Sequence, residues 1–112
     1  MKLEEVKEIL SAQILCGEDK MNTEVLAACG CDLMSDVLAF VKDQALLLTG
    51  LMNSQVVRTA EMMDMKAIVF VRGKSPSQEI LDLANDAGIA ILSTELPLYL
   101  SCGKLYNNGL YK

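Results

Sequence analysis

The stretch "ALLLTGLMNSQVVRTAEMMDMKAIVFVRGKSPSQ", residues 45–78, decides the fold. It opens on a run, 45–49, that is apolar up to Thr49, as strands buried on both faces are. Asn53 is a capping residue, and behind it Val56, Val57, Ala60 and Met63 recur at helical spacing. A second apolar run, 67–71, follows. Beyond it "SPSQEILDLANDAG" predicts a helix burying Ile80, Leu81, Ala84 and Ala87, with Gly88 at its stop, and "IAILS" (89–93) a further strand. Strands and helices alternating at this spacing call for right-handed crossovers and a parallel sheet with helices packed on it.

Working outward, "CDLMSDVLAFVK" offers Asp32 as the cap of a helix carrying Leu33, Val37, Phe40 and Val41 on one side. Leu3, Val6, Ile9 and Leu10 form an N-terminal helical stripe, "AQILC" (12–16) a short strand, and "VLAAC" from Val25 another. The polar "GEDKMNTE" between those two strands is too short for a crossover helix, so they are expected to pair with each other, irregularly or antiparallel. "TELPLYLSCGKLY" predicts a closing helix. The expected architecture is α/β: a single three-layer domain spanning 1–112, with a mostly parallel sheet of about five strands flanked by helices.

The composition narrows the function classes. The chain has 112 residues, enough for one domain, and its 52% hydrophobic content supplies a core. A net charge of −5 argues against nucleic acid, which needs a basic face. The absence of histidine removes the usual general base and the commonest metal ligand. No apolar run reaches membrane-spanning length, and the charged start "MKLEEVKEIL" is no signal peptide, so a cytoplasmic location with reduced cysteines is expected.

Gly73-Lys74-Ser75 imitates the end of a nucleotide-binding P-loop. That motif requires a glycine five positions before Gly73, and residue 68 is Ile, inside a strand. Ser75, Pro76 and Gln78 instead read as a capping box with proline at the first helical position. What remains of the motif is its place: Arg72 and Lys74 at the carboxyl end of a strand, beside a helix N-terminus that favours an anion.

Loops after parallel strands gather along one edge of a sheet, where ligands bind. Here they carry Asp32; Thr49, Gly50 and Asn53; Arg72, Gly73, Lys74 and Ser75; and Thr94 and Glu95. Small and capping residues also serve simply to turn a strand into a helix, so the edge as a whole, rather than any one residue, is the candidate surface. Arg58, one turn into its helix, reads as a solvated charge.

The four cysteines offer a weaker alternative. Cys29-Gly30-Cys31 is tighter than zinc-site spacing, Cys16 and Cys102 would have to converge from elsewhere, and a cysteine nucleophile would lack a histidine base. No catalytic residue, metal site or cofactor is expected.

"CDLMSDVLAF", "LLLTGLMNSQVVRTAEMMDMKAIVFVRGKSP" and "CGKLY" together resemble the DRTGG-domain proteins, above all short stand-alone members from anaerobic bacteria. The resemblance runs from about Ile14 to Tyr106. It implies the fold of the N-terminal domain of HPr kinase/phosphorylase, without the catalytic half that carries the kinase's nucleotide loop. Related domains joined to CBS domains and phosphotransacetylases imply regulation or ligand sensing. Neighbouring genes for iron hydrogenases and serine-kinase-like proteins imply an accessory role. The literal D-R-T-G-G string is missing here; Leu48-Thr49-Gly50-Leu51 is the nearest turn.

The sequence therefore suggests a non-catalytic regulatory domain binding a small anionic ligand or nucleotide at the strand ends. Arg72 and Lys74 would supply positive charge, the backbone at Gly50, Asn53 and Ser75 would face the anion, and Asp32 and Glu95 would orient hydroxyls or amines. The alternative is an interaction module, a homodimer docking on a partner enzyme of a kinase or hydrogenase system, with Met52, Met62, Met63 and Met65 as an adaptable face.

Overall fold

The computed structural model describes residues 1–40 and 43–112. In chain order its elements are α1 (Leu3–Leu10), β1 (Gln13–Cys16), a 3-10 turn (Glu18–Lys20), β2 (Ala27–Gly30), α2 (Met34–Phe40), β3 (Ala45–Thr49), α3 (Ser54–Met62), β4 (Ala67–Phe70), α4 (Gln78–Ala87), β5 (Ala90–Ser93) and α5 (Leu98–Asn107). The five strands form one sheet in the order β1-β5-β4-β3-β2. Strands β2 to β5 are parallel and in register, Leu47 opposite Ile68 and Ile68 opposite Ile91, and β1 alone runs antiparallel, on β5.

The strands are apolar on both faces because helices cover both. Leu47, Ile68, Phe70 and Ile91 pack against α2, α3 and α4 through Val37, Val56, Ala60, Ile80 and Ala84. Their alternates Leu46, Leu48, Val69 and Leu92 meet α1 and α5 through Leu3, Val6, Leu10 and Leu105. Period-two alternation within one run thus feeds two cores. The helices begin and end as their caps direct: the Asn53 side chain accepts the Val56 N–H at the start of α3, and Gly88, left-handed at φ 73°, closes α4.

Three expectations are corrected. The strands around Ile14 and Ala27 do not pair; they lie at opposite edges of the sheet. The linker between them, residues 17–26, reaches about 33 Å when extended, against about 19 Å across four strand spacings, so it passes beneath the sheet without strain. It is anchored on the way, where Leu3 and Glu4 donate backbone N–H groups to the Thr23 and Met21 carbonyls. Second, α4 begins two residues later than the Ser75 box implies: Ser77 is the cap, its hydroxyl oxygen accepting the Ile80 N–H at 3.3 Å. Arg72 and Gly73 are both left-handed, and the Ser93 hydroxyl holds the Lys74 carbonyl at 3.0 Å, so the chain is still turning away from β4 at Ser75. Third, α2 buries Met34 and Val37 and leaves Leu33 and Phe40 exposed, at 58% and 73%. Val41 lies outside the described residues.

Candidate functional site

All four parallel strands deliver their carboxyl ends to one rim. The strands are added in sequence from β2 to β5, and α2, α3 and α4 all lie on one face. The direction of winding never reverses across these strands. No crevice therefore opens between diverging helices, the usual ligand seat of a doubly wound sheet, and the rim is an open ledge shaped by its side chains.

At its centre is the turn after β3. The Asp32 carboxylate, from the β2–α2 loop, accepts two hydrogen bonds on Oδ1: the Gly50 N–H at 2.8 Å and the Thr49 hydroxyl at 2.9 Å. Thr49 Oγ1 in turn accepts the Leu51 N–H at 3.1 Å. The Gly50 N–H holds the Asp32 carboxyl below the ordinary carboxylate range; the Thr49 hydroxyl and the positive charges of Arg72 and Lys74 act in the same direction against partial burial. Asp32 is thus a carboxylate that ties two strand ends together, in place of the helix cap its position suggests.

The turn after β4 supplies the cations. Lys74 Nζ reaches across to donate to the Gly50 carbonyl at 2.9 Å. Arg72 has a left-handed backbone, φ 61°, which an L residue adopts at a cost of about 1 kcal/mol. The geometry is enforced by neighbours: the Arg72 N–H donates to the Leu96 carbonyl at 2.9 Å and the Gly73 N–H to the Thr94 carbonyl at 2.8 Å. The consequence is that the guanidinium reaches over Gly50, where a Cβ would collide with its Nη2. Likewise the Glu95 carboxylate lies over Gly73, left-handed at φ 67°. Two glycines therefore let two opposite charges rest against backbone.

Among the described residues, neither the Arg72 guanidinium nor the Glu95 carboxylate has a hydrogen-bond or ion-pair partner. The ion pairs lie elsewhere, as between the Met1 ammonium and Glu24. The rim holds its charges close but leaves two of them uncommitted.

Of the residues selected from sequence, Asp32, Gly50, Arg72, Gly73, Lys74 and Glu95 converge here. Thr49 and Thr94 are at the rim but sealed, at 0% and 2% exposure, and Thr94 donates its hydroxyl at 2.7 Å to the Leu10 carbonyl on the far side of the sheet. They hold the ledge rather than face solvent. The Gly50 amide, expected to face an anion, is already satisfied by Asp32. Asn53 and Ser75 are exposed, Asn53 as the cap of α3, and Arg58 stays on that helix's solvent face. Sequence reading missed Ser77, whose signal was the next S-x-x spacing ending on the inward-facing Ile80, and the Leu96 carbonyl, which carries no sequence signal. Burial raises the thiol pKa of Cys16 and Cys102, the reverse of an activated nucleophile.

Comparison with known proteins places this fold. The family model described as the DRTGG domain matches residues 5–101. The chain belongs to the DRTGG-domain family. A crystal structure of the CBS and DRTGG domains of the regulatory region of Clostridium perfringens pyrophosphatase, complexed with its activator diadenosine tetraphosphate, superposes on this DRTGG chain with a TM-score of 0.76 at 15% identity. The superposition covers 93% of this chain and 45% of that one, so this chain spans just under half of the regulatory region it resembles. No curated protein sequence matches it. Among the described residues, no helix is long and apolar enough to cross a membrane, and no three cysteine or carboxylate side chains are grouped so as to hold a metal ion.

Proposed function

We propose that this DRTGG domain is a non-catalytic sensor whose strand-end ledge takes a small anionic ligand, with a nucleotide phosphate as the group recognised. One observation carries the reading: a strained backbone at Arg72 holds a guanidinium without a partner over the Gly50 turn, beside the Lys74 ammonium. Guanidinium matches the oxygens of a phosphate in planar, two-point fashion, and a site that keeps it exposed and pre-positioned lowers the ordering cost of binding. Asp32 and Glu95 supply acceptors for ligand hydroxyls or amines, which discriminates a nucleotide from bare phosphate. The fold's appearance in a regulatory region that binds diadenosine tetraphosphate supports a nucleotide as the first chemistry to try. The ligand state would then be read by a partner enzyme or by further domains, with no chemistry performed on the ledge itself.

Isothermal titration of the full chain against inorganic phosphate, adenine mono-, di- and triphosphates and diadenosine tetraphosphate tests this. Binding of at least one nucleotide is expected, weakened about tenfold or more by Arg72→Ala. Silence across the panel, or equal affinity in the variant, would remove the proposal.

A further inference from the structure

Four charges gather on the ledge, and two of them are committed to the backbone of Gly50. The Asp32 carboxylate accepts its N–H at 2.8 Å, and the Lys74 ammonium donates to its carbonyl at 2.9 Å. Arg72 and Glu95 remain, one charge of each sign. Both are exposed and, among the described residues, without a hydrogen-bond or ion-pair partner.

The backbone brings these two residues together but keeps their charges apart. The Arg72 N–H donates to the Leu96 carbonyl and the Gly73 N–H to the Thr94 carbonyl, so Glu95 is bracketed by two bonds to the turn that carries Arg72. Its carboxylate rests over Gly73, whereas the guanidinium reaches away to Gly50. Gly50 and Gly73 follow neighbouring strands, β3 and β4, and such strands stand about 5 Å apart. A cation and an anion thus face solvent side by side, each seated on its own glycine, close enough for one small ligand to touch both.

Charge decides what that ligand must carry. Two carboxylates, Asp32 and Glu95, offset two cations, Arg72 and Lys74, so the ledge has no surplus positive charge, on a chain whose net charge is −5. An unaccompanied anion on Arg72 would meet the Glu95 carboxylate inside the ~8 Å screening length of physiological salt. A positive group on the same ligand turns that repulsion into a second attraction. A phosphate acquires such a group in two ways: an ammonium in the same molecule, or a divalent cation chelated by its oxygens. Magnesium is commonly held in the second way, by one or two carboxylates together with ligand phosphates rather than by a cage of protein groups.

We propose that the ledge selects an anion accompanied by its own positive charge, with the anion on Arg72 and the positive group on Glu95. The inference rests on the reading of Arg72 as an anion site and narrows the ligand, making Glu95 the residue that sets specificity.

Amide NMR titrations of the full chain test it with two pairs of probes: aminoethyl phosphate against ethyl phosphate, and adenosine diphosphate in magnesium against the same nucleotide in EDTA. The accompanied form is expected to bind about fivefold or more tightly in at least one pair. The first pair reports an ammonium, the second a chelated cation. Glu95→Gln exchanges an exposed carboxylate without a partner for an amide of the same shape, so it should fold as the wild type does and bind both members of that pair alike. The proposal falls if neither pair shows a preference that Glu95→Gln abolishes. Equal affinities that still drop in Arg72→Ala would leave the anion site standing without its selectivity, whereas silence from every probe would remove both.

Discussion

Gly50→Ala separates a ligand-binding arginine from a structural one. Gly50 does not have a left-handed backbone, so alanine fits its conformation. The three atoms nearest to an added Cβ all belong to the Arg72 guanidinium: Nη2 would collide, Cζ would lie 3.0 Å away and Nε 3.4 Å. This is the far end of a flexible, exposed side chain, which can swing aside. Losing glycine's freedom in the unfolded chain favours the folded state by about 0.4–1 kcal/mol, and displacing the guanidinium opposes that by a similar amount. The net stability change is expected within about 1 kcal/mol, a Tm shift under about 5 °C in a thermal melt. Nucleotide affinity, by titration, should fall about tenfold, as in Arg72→Ala. A Tm lowered by more than about 10 °C would mean that Arg72 is packed rather than poised. Unchanged stability with unchanged affinity would mean that its place above Gly50 has nothing to do with ligand.

Three further outcomes are expected. Asp32 has a folded-state pKa below its unfolded value, so its charge contributes stability in full above about pH 4 and loses it as pH falls through the lowered folded value; urea unfolding should show wild type ahead of Asp32→Asn at pH 6, by no more than about 1 kcal/mol at this exposed site, and the gap closing toward pH 2. Ser77→Ala should cost about 1 kcal/mol by loss of the α4 cap, whereas Ser75→Ala should leave the melt unchanged; the reverse order would restore the Ser75 box. Phe70→Ala, at the largest fully buried side chain, should cost about 3–5 kcal/mol, and a smaller loss would mean that the core beneath α3 and α4 can close over the gap.

The parallel half of the fold was legible because each piece carried its own local signal: apolar runs for β3 to β5, Asn53 and Gly88 for helix ends. Local signals cannot assign partners to a strand whose neighbour is remote in sequence, and so β1 was paired with the wrong edge. The same limit applied to the ledge. Lys74 and Arg72 were recognisable as cations at a strand end, but their positions over Gly50 depend on the Leu96 and Thr94 carbonyls, which any residues would provide. Asp32 was misassigned for a related reason: a carboxylate ahead of a helix looks like a cap, and only the register of β2 against β3 brings it to the Gly50 amide instead. The exposure of Leu33 and Phe40 reversed an expectation based on helical spacing alone.

The remoteness of β1 from its neighbour also bears on how the molecule is assembled. Gln13 and Ile14 wait for Ser93 and Leu92, some eighty positions downstream. On a ribosome, β1 therefore emerges before the other strands yet cannot dock until β5 follows, and until then its own unpaired backbone is a bare margin open to any passing segment. Chaperone dependence or aggregation during synthesis would accordingly concentrate at that margin, and β1 should be the strand whose amides exchange with solvent first.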